Sequence, residues 1–137
     1  MSLHQVNISN SKQRGEWAEL LFMARAAEQG LAIARPWGDS SPYDVAIERN
    51  GTFLRIQVKS TRCQRAAAFK CHIDSNGVPY RLAQLDFIAA YLIPVAVWYI
   101  IPLAATHGQS EVLLAPTRPK SKYARYKEAW HLLRNDF

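Results

Sequence analysis

Asn50-Gly51 lies between two runs of alternating polar and apolar residues, Tyr43 to Arg49 and Thr52 to Lys59, and it restricts the folding of this chain more than any other short feature. A type I′ turn needs positive φ at both central positions, which asparagine and glycine tolerate, so the dipeptide predicts a two-residue β-hairpin. Such a loop pairs Arg49 with Thr52, and the same register sets Asp44 opposite Gln57, with Cβ atoms about 5 Å apart. The two-residue strand period then puts Arg55, Gln57 and Lys59 on the face of Asp44, and Leu54, Ile56 and Val58 beside Val45 and Ile47 on the other. One face is expected to be core and the other to gather polar groups.

Around the hairpin the pattern is mixed. Ser11 to Gln29 predicts a helix, with Trp17, Leu20, Leu21, Ala24 and Leu31 as its apolar stripe, Ser9, Asn10 or Ser11 as its cap and Gly30 as its stop. Leu31 to Arg35 predicts a short strand closed by Pro36. Further strands are expected at about Ala66 to Ile73, Leu85 to Leu92, Val95 to Ile101 and Val112 to Leu114, then a last helix from about Lys122 to Arg134. Residues 85–105 are nearly all apolar over about the length a bilayer needs, but Asp86, Pro94 and Pro102 divide them into two strand-length runs, which predicts adjacent buried strands and no membrane helix. The order of helix, strands and helix, without a repeating βαβ series, predicts an α/β fold with a central mixed sheet flanked by an N-terminal and a C-terminal helix. At 137 residues the chain suffices for one core and is short for two, so residues 1–137 read as a single domain.

The 17 Lys and Arg against 11 Asp and Glu give a formal charge of +6, which favours a polyanionic partner. Two cysteines exclude a four-thiolate zinc site, and nothing resembles a cleavable secretion signal, so a reduced, cytoplasmic protein is expected. Cys71 and His72 point to opposite faces of a strand and make a poor metal pair. His4, His107 and His131 fall in no catalytic pattern, and Asp39 sits in turn chemistry. The hairpin polars are different: a carboxylate at Asp44 can hold a hard divalent cation, Gln57 can add a neutral carbonyl oxygen, and Lys59 can position water or stabilise charge on a phosphate. Arg62 and Arg65, just after that strand, and Lys120, Lys122 and Arg125, interleaved with Tyr123 and Tyr126, are candidates for phosphate contact. The alternative for the last group is a terminal helix packed by Tyr123, Tyr126, Trp130 and Leu133, with its cations solvated.

Pro42-Tyr43-Asp44 followed by Gln57-Val58-Lys59 resembles the signature of the PD-(D/E)xK nuclease superfamily. Gln57 stands where most members carry Asp or Glu. The glutamine, with the surrounding residues 36–61, is similar to the group I intron-encoded homing endonuclease branch and more distantly to archaeal Holliday-junction resolvases. The resemblance implies a restriction-endonuclease-like fold and a DNA endonuclease that uses Mg²⁺, with Mn²⁺ able to substitute. It implies catalytic roles for Glu19, Asp44, Gln57 and Lys59, with Glu19, Asp44 and Gln57 at the metal. Glu19 enters through a Gly-x-x-x-Glu element at Gly15 to Glu19, with Glu16 its competitor. The implied partner is duplex or branched DNA, and a homo-oligomer is expected because one chain has room for one such site. The missing acid at Gln57 leaves open a module that keeps the fold and binds nucleic acid without turnover.

Overall fold

In the computed structural model, which describes residues 5–134 and so leaves His4 outside, helix α1 (Ser11–Glu28) begins where the Asn10 side chain accepts the Gln13 N–H at 3.0 Å. It ends before Gly30, whose φ of 78° turns the chain out of the helix. The buried face is Ala18, Phe22 and Ala26, while Leu20 is 60% exposed. Of the expected stripe, Trp17, Leu21 and Leu31 pack against this core, whereas Leu20 and Ala24 face outward, so the buried face is rotated towards Ala18, Phe22 and Ala26. Two alanines let the helix approach the sheet closely, and Phe22 packs against Trp98 and Trp130.

Among the described residues ten strands follow: β1 (Ala32–Ala34), β2 (Val45–Arg49), β3 (Thr52–Thr61), β4 (Gln64–Arg65), β5 (Ala68–His72), β6 (Asp74–Ser75), β7 (Val78–Pro79), β8 (Phe87–Leu92), β9 (Val97–Pro102) and β10 (Glu111–Leu114), and then helix α2 (His131–Arg134). The hairpin has the predicted register, from Arg49 opposite Thr52 to Val45 opposite Ile56, and its turn residues have φ of 53° at Asn50 and 81° at Gly51. The main sheet runs β1-β2-β3-β8-β9; β3 and β8 are parallel and its other neighbours antiparallel. A parallel pair needs a long crossover, usually a helix. Here it is made of strands: β4 and β5 join β10 in a three-stranded sheet, and β6 and β7 form a small hairpin.

This crossover changes the expected division of faces. Val45, Ile47, Ile56, Val58, Tyr91 and Ile100 pack under α1 and α2, with Trp130 and Leu133. On the opposite face Ile88, Ala90, Tyr99 and Ile101 are buried under Phe69, Cys71, Val112 and Leu114 of the small sheet. Both faces are core over β8 and β9, and the polar positions of β3 lie beside the second core, not on an open surface. The helices thus cover one face and strands the other. The apolar stretch expected as two buried strands is β8 and β9, joined by a 3-10 turn at Ile93–Val95. No helix among the described residues is long and apolar enough to cross a membrane.

The helix expected over Lys122 to Arg134 is reduced to a 3-10 turn at Ala124–Tyr126 and the single turn of α2. Glu128, at φ 49°, interrupts it. Its N–H donates to the Trp98 carbonyl at 2.7 Å, its Oε2 accepts the Trp98 N–H at 2.7 Å, and its Oε1 accepts Trp130 Nε1–H at 2.8 Å. The segment serves the open edge of β9, and those bonds outweigh helix continuity. Tyr123, Trp130 and Leu133 are buried as their apolar spacing suggested.

Candidate active site

Regular pairing of β2 with β3 stops at Val45 and Ile56, one residue short of Asp44 and Gln57. The Asp44 N–H donates to the Ile56 carbonyl at 2.9 Å, and its side chain turns in line with the ladder, where Oδ2 accepts the Val58 N–H at 2.9 Å. The carboxylate thus replaces the backbone carbonyl that β2 no longer supplies. No described group donates to Oδ1. Asp44 and Ser41 border two clefts: one of about 480 Å³, which includes Pro42, Gln57, Ser75, Tyr80 and Gln84, and one of about 320 Å³, which includes Glu16, Glu19, Arg35 and Asp39. Asp44 is therefore the junction between the helix carboxylate and the β3 amide.

Both carboxyl groups are shifted upward, and Asp44 acts on Glu19. Burial raises the Asp44 pKa, against the Val58 N–H and the charges of Lys59 and Arg35, which lower it. Burial also raises Glu19, followed by repulsion from Asp44; Arg35 opposes this and Glu16 adds to it. Glu19 is the more enclosed of the helix acids, with Oε1 3.4 Å from Arg35 Nη2, whereas Glu16 is exposed on the same cleft. No cluster of three or more His, Cys, Asp or Glu residues able to hold a metal occurs among the described residues. The available oxygen set is two carboxylates and one amide, a donor chemistry suited to a hard divalent cation that keeps several waters.

Lys59 lies on the same side of β3 as Gln57 and donates to the Asp74 carbonyl at 2.9 Å, with its Nζ 5.5 Å from the Tyr80 ring centroid. Its charge reaches Asp44. The β6–β7 hairpin therefore supplies a wall and an anchor for the ammonium. Arg55, expected on this polar face, serves the fold instead: Nε and Nη2 bond Asp86 at 3.1 and 3.2 Å, and Nη1 donates to the Ala83 carbonyl at 2.6 Å.

Arg35, Tyr80 and the Asp74 carbonyl were not legible in the sequence. Arg35 follows a three-residue strand whose pairing alone aims it at α1, and the other two depend on the non-helical crossover. The remaining basic candidates do not converge on Asp44. Arg62 and Arg65 are exposed beyond β3 and line neither cleft. Lys120 and Lys122 line a separate groove of about 830 Å³ with Lys70 and Arg118, and Arg125 lines an adjoining one of about 420 Å³.

The family model for PD-(D/E)XK endonucleases matches residues 9–133. Among solved structures, a bacterial homing endonuclease superposes with a TM-score of 0.74 at 26% identity, covering 92% of this chain and 92% of that one. A Holliday junction resolvase of the archaeal hyperthermophile Archaeoglobus fulgidus superposes with a TM-score of 0.57 at 17% identity, over 90% of this chain and 98% of that one, a likeness of fold. No curated protein matches the sequence at a significant level.

Proposed function

The chain belongs to the PD-(D/E)XK endonuclease family, and we propose that residues 1–137 act as one domain, a Mg²⁺-dependent endodeoxyribonuclease of the homing or junction-resolving kind. The observation that carries this reading is the junction at Asp44, where a carboxylate fixed by Val58 borders both the Glu19 and the Gln57 clefts and feels the charge of Lys59. Glu19, Asp44 and Gln57 would hold the cation, and their oxygen chemistry suits Mg²⁺ or Mn²⁺. A divalent cation supplies charge neutralisation at the phosphate and a more acidic bound water. Asp44 offers Oδ1 while Oδ2 stays on the backbone, which keeps the carboxylate from rotating. Lys59 uses one N–H on Asp74 and retains donors for the phosphate oxygens or the attacking water. Arg35 offsets the two acids and can turn to a phosphate when they bind a cation.

DNA, duplex or branched, is the proposed partner, with the net charge of +6 supporting phosphate contact and Arg62, Arg65, Lys120, Lys122 and Arg125 proposed to make it. The chain is proposed to act as a homo-oligomer, because cutting both strands of a duplex calls for two sites and each chain offers one. Gln57 favours the second reading, a module that binds nucleic acid without cutting. The test is a cleavage panel over plasmid, cruciform and single-stranded DNA with Mg²⁺, Mn²⁺ or chelator, with Asp44→Asn and Lys59→Ala alongside. Metal-dependent cleavage lost in both variants supports the enzyme; salt-sensitive binding indifferent to metal, without cleavage, supports the module.

A further inference from the structure

Trp37 is 98% exposed, the most exposed of the large apolar residues described. It stands in the loop between β1 and β2, whose two ends are fixed at the candidate site: Arg35 is paired to Glu19, and Asp44 is bonded to Val58. Pro36, Gly38 and Asp39, on either side of it, line the cleft of Glu19 and Asp44, while the indole itself projects into solvent. The other tryptophans are packed: Trp17 against Tyr91, and Trp98 and Trp130 against Phe22. Leaving the largest apolar side chain unburied at the rim of a polar cleft gives the fold nothing in return.

We propose that Trp37 is a nucleic-acid stacking residue, whose indole receives the face of a base freed from its neighbour while the adjoining phosphate lies in the cleft bordered by Asp44. The proposal rests on the nuclease reading of that cleft. A base fits better than a protein partner. A protein hot spot sits in a well-packed patch whose surrounding contacts exclude water, whereas Trp37 is followed by Gly38-Asp39-Ser40-Ser41, and Lys12 and Arg35 line the polar cleft beside it. One aromatic plane with cations close by is what stacking on a single nucleotide of a charged strand requires.

The test uses Asp44→Asn protein, which keeps an acceptor for the Val58 N–H, titrated with single-stranded and duplex oligonucleotides while tryptophan emission and the anisotropy of labelled DNA are read. Quenching of the exposed indole is expected. Trp37→Phe in the same background should remove that quench and bind within about twofold of the parent, and Trp37→Ala should bind about tenfold more weakly, a loss of about 1.4 kcal/mol. No DNA binding, no quench beyond that of Trp37→Phe, or equal affinity for Trp37→Ala would each overturn the proposal. So would an emission change that depends on protein concentration without DNA, which would make the ring a self-association contact. Cleavage by the Asp44 form is scored separately: binding with quench but no cutting keeps the stacking role and defeats the nuclease reading.

Discussion

Asp44 holds a backbone bond of the fold and is the proposed cation ligand, and the two roles separate by mutation. Its Oδ2 accepts the Val58 N–H, so Asp44→Ala leaves a partly buried donor without a partner, whereas Asp44→Asn retains a carbonyl oxygen there. Denaturant unfolding of the metal-free proteins should find the alanine variant about 1–2 kcal/mol less stable than the asparagine variant, while calorimetry should find the Mg²⁺ binding proposed for the parent lost in both. The raised pKa values of Glu19 and Asp44 fix a sign for pH. In the metal-free protein the native state holds protons that the unfolded chain has released, so this pair's contribution to stability is lost as pH rises from the ordinary carboxylate range through the raised native values. Asp44→Asn should therefore gain stability relative to the parent across that window, read as the difference in Tm with pH. Cation affinity should run the other way, falling as the acids protonate. The register that brings the ends of β2 and β3, and with them Asp44 and Gln57, together was legible because one Asn-Gly turn sets it. Arg35 was not, since its role depends on a pairing between β1 and β2 that no local pattern announces.

Strands β3 and β8 hold the site through a clamp that the sequence did not disclose. Asp86 binds the Arg55 guanidinium and also accepts the Arg55 N–H at 2.8 Å, tying the middle of β3 to the start of β8. Asp86→Ala should cost about 2 kcal/mol in chemical denaturation, and cleavage should fall with the folded fraction, not through an altered metal dependence. The C-terminal segment makes the complementary point. The packed alternative for this segment placed Tyr123, Trp130 and Leu133 in the core, where they lie, yet helical periodicity misassigned the backbone, because Glu128 meets the edge of β9 with two hydrogen bonds to Trp98 and holds Trp130 with a third. Glu128→Ala should leave the buried Trp98 N–H and Trp130 Nε1–H unpaired, with a loss of about 2–3 kcal/mol seen as a lower Tm. The two-strand reading of residues 85–105 succeeded where this one failed because prolines punctuate that stretch, whereas Glu128 carries no local stop signal.

At the scale of the molecule, a five-stranded mixed sheet is covered by helices on one side and by a second sheet on the other, and the non-helical crossover makes the wall beside Lys59. A mixed sheet with terminal helices was legible from element order; the second sheet was not, since β4, β6 and β7 are two residues each and have no periodicity to detect. The basic residues of the C-terminal region line grooves apart from Asp44, so a strand cut at Asp44 and a strand held at Lys120 and Lys122 would lie on different parts of the surface. Charge removal at Lys120 and Lys122 should weaken DNA binding and flatten its salt dependence without shifting the Mg²⁺ concentration needed for cutting. The most direct measurement for the whole account is cleavage of plasmid and branched DNA by purified protein against Mg²⁺ concentration, with Asp44→Asn in parallel. The account predicts cutting that saturates with Mg²⁺, stops with chelator and is absent in the variant; equal cutting by both proteins, or intact DNA at every metal concentration, would contradict it.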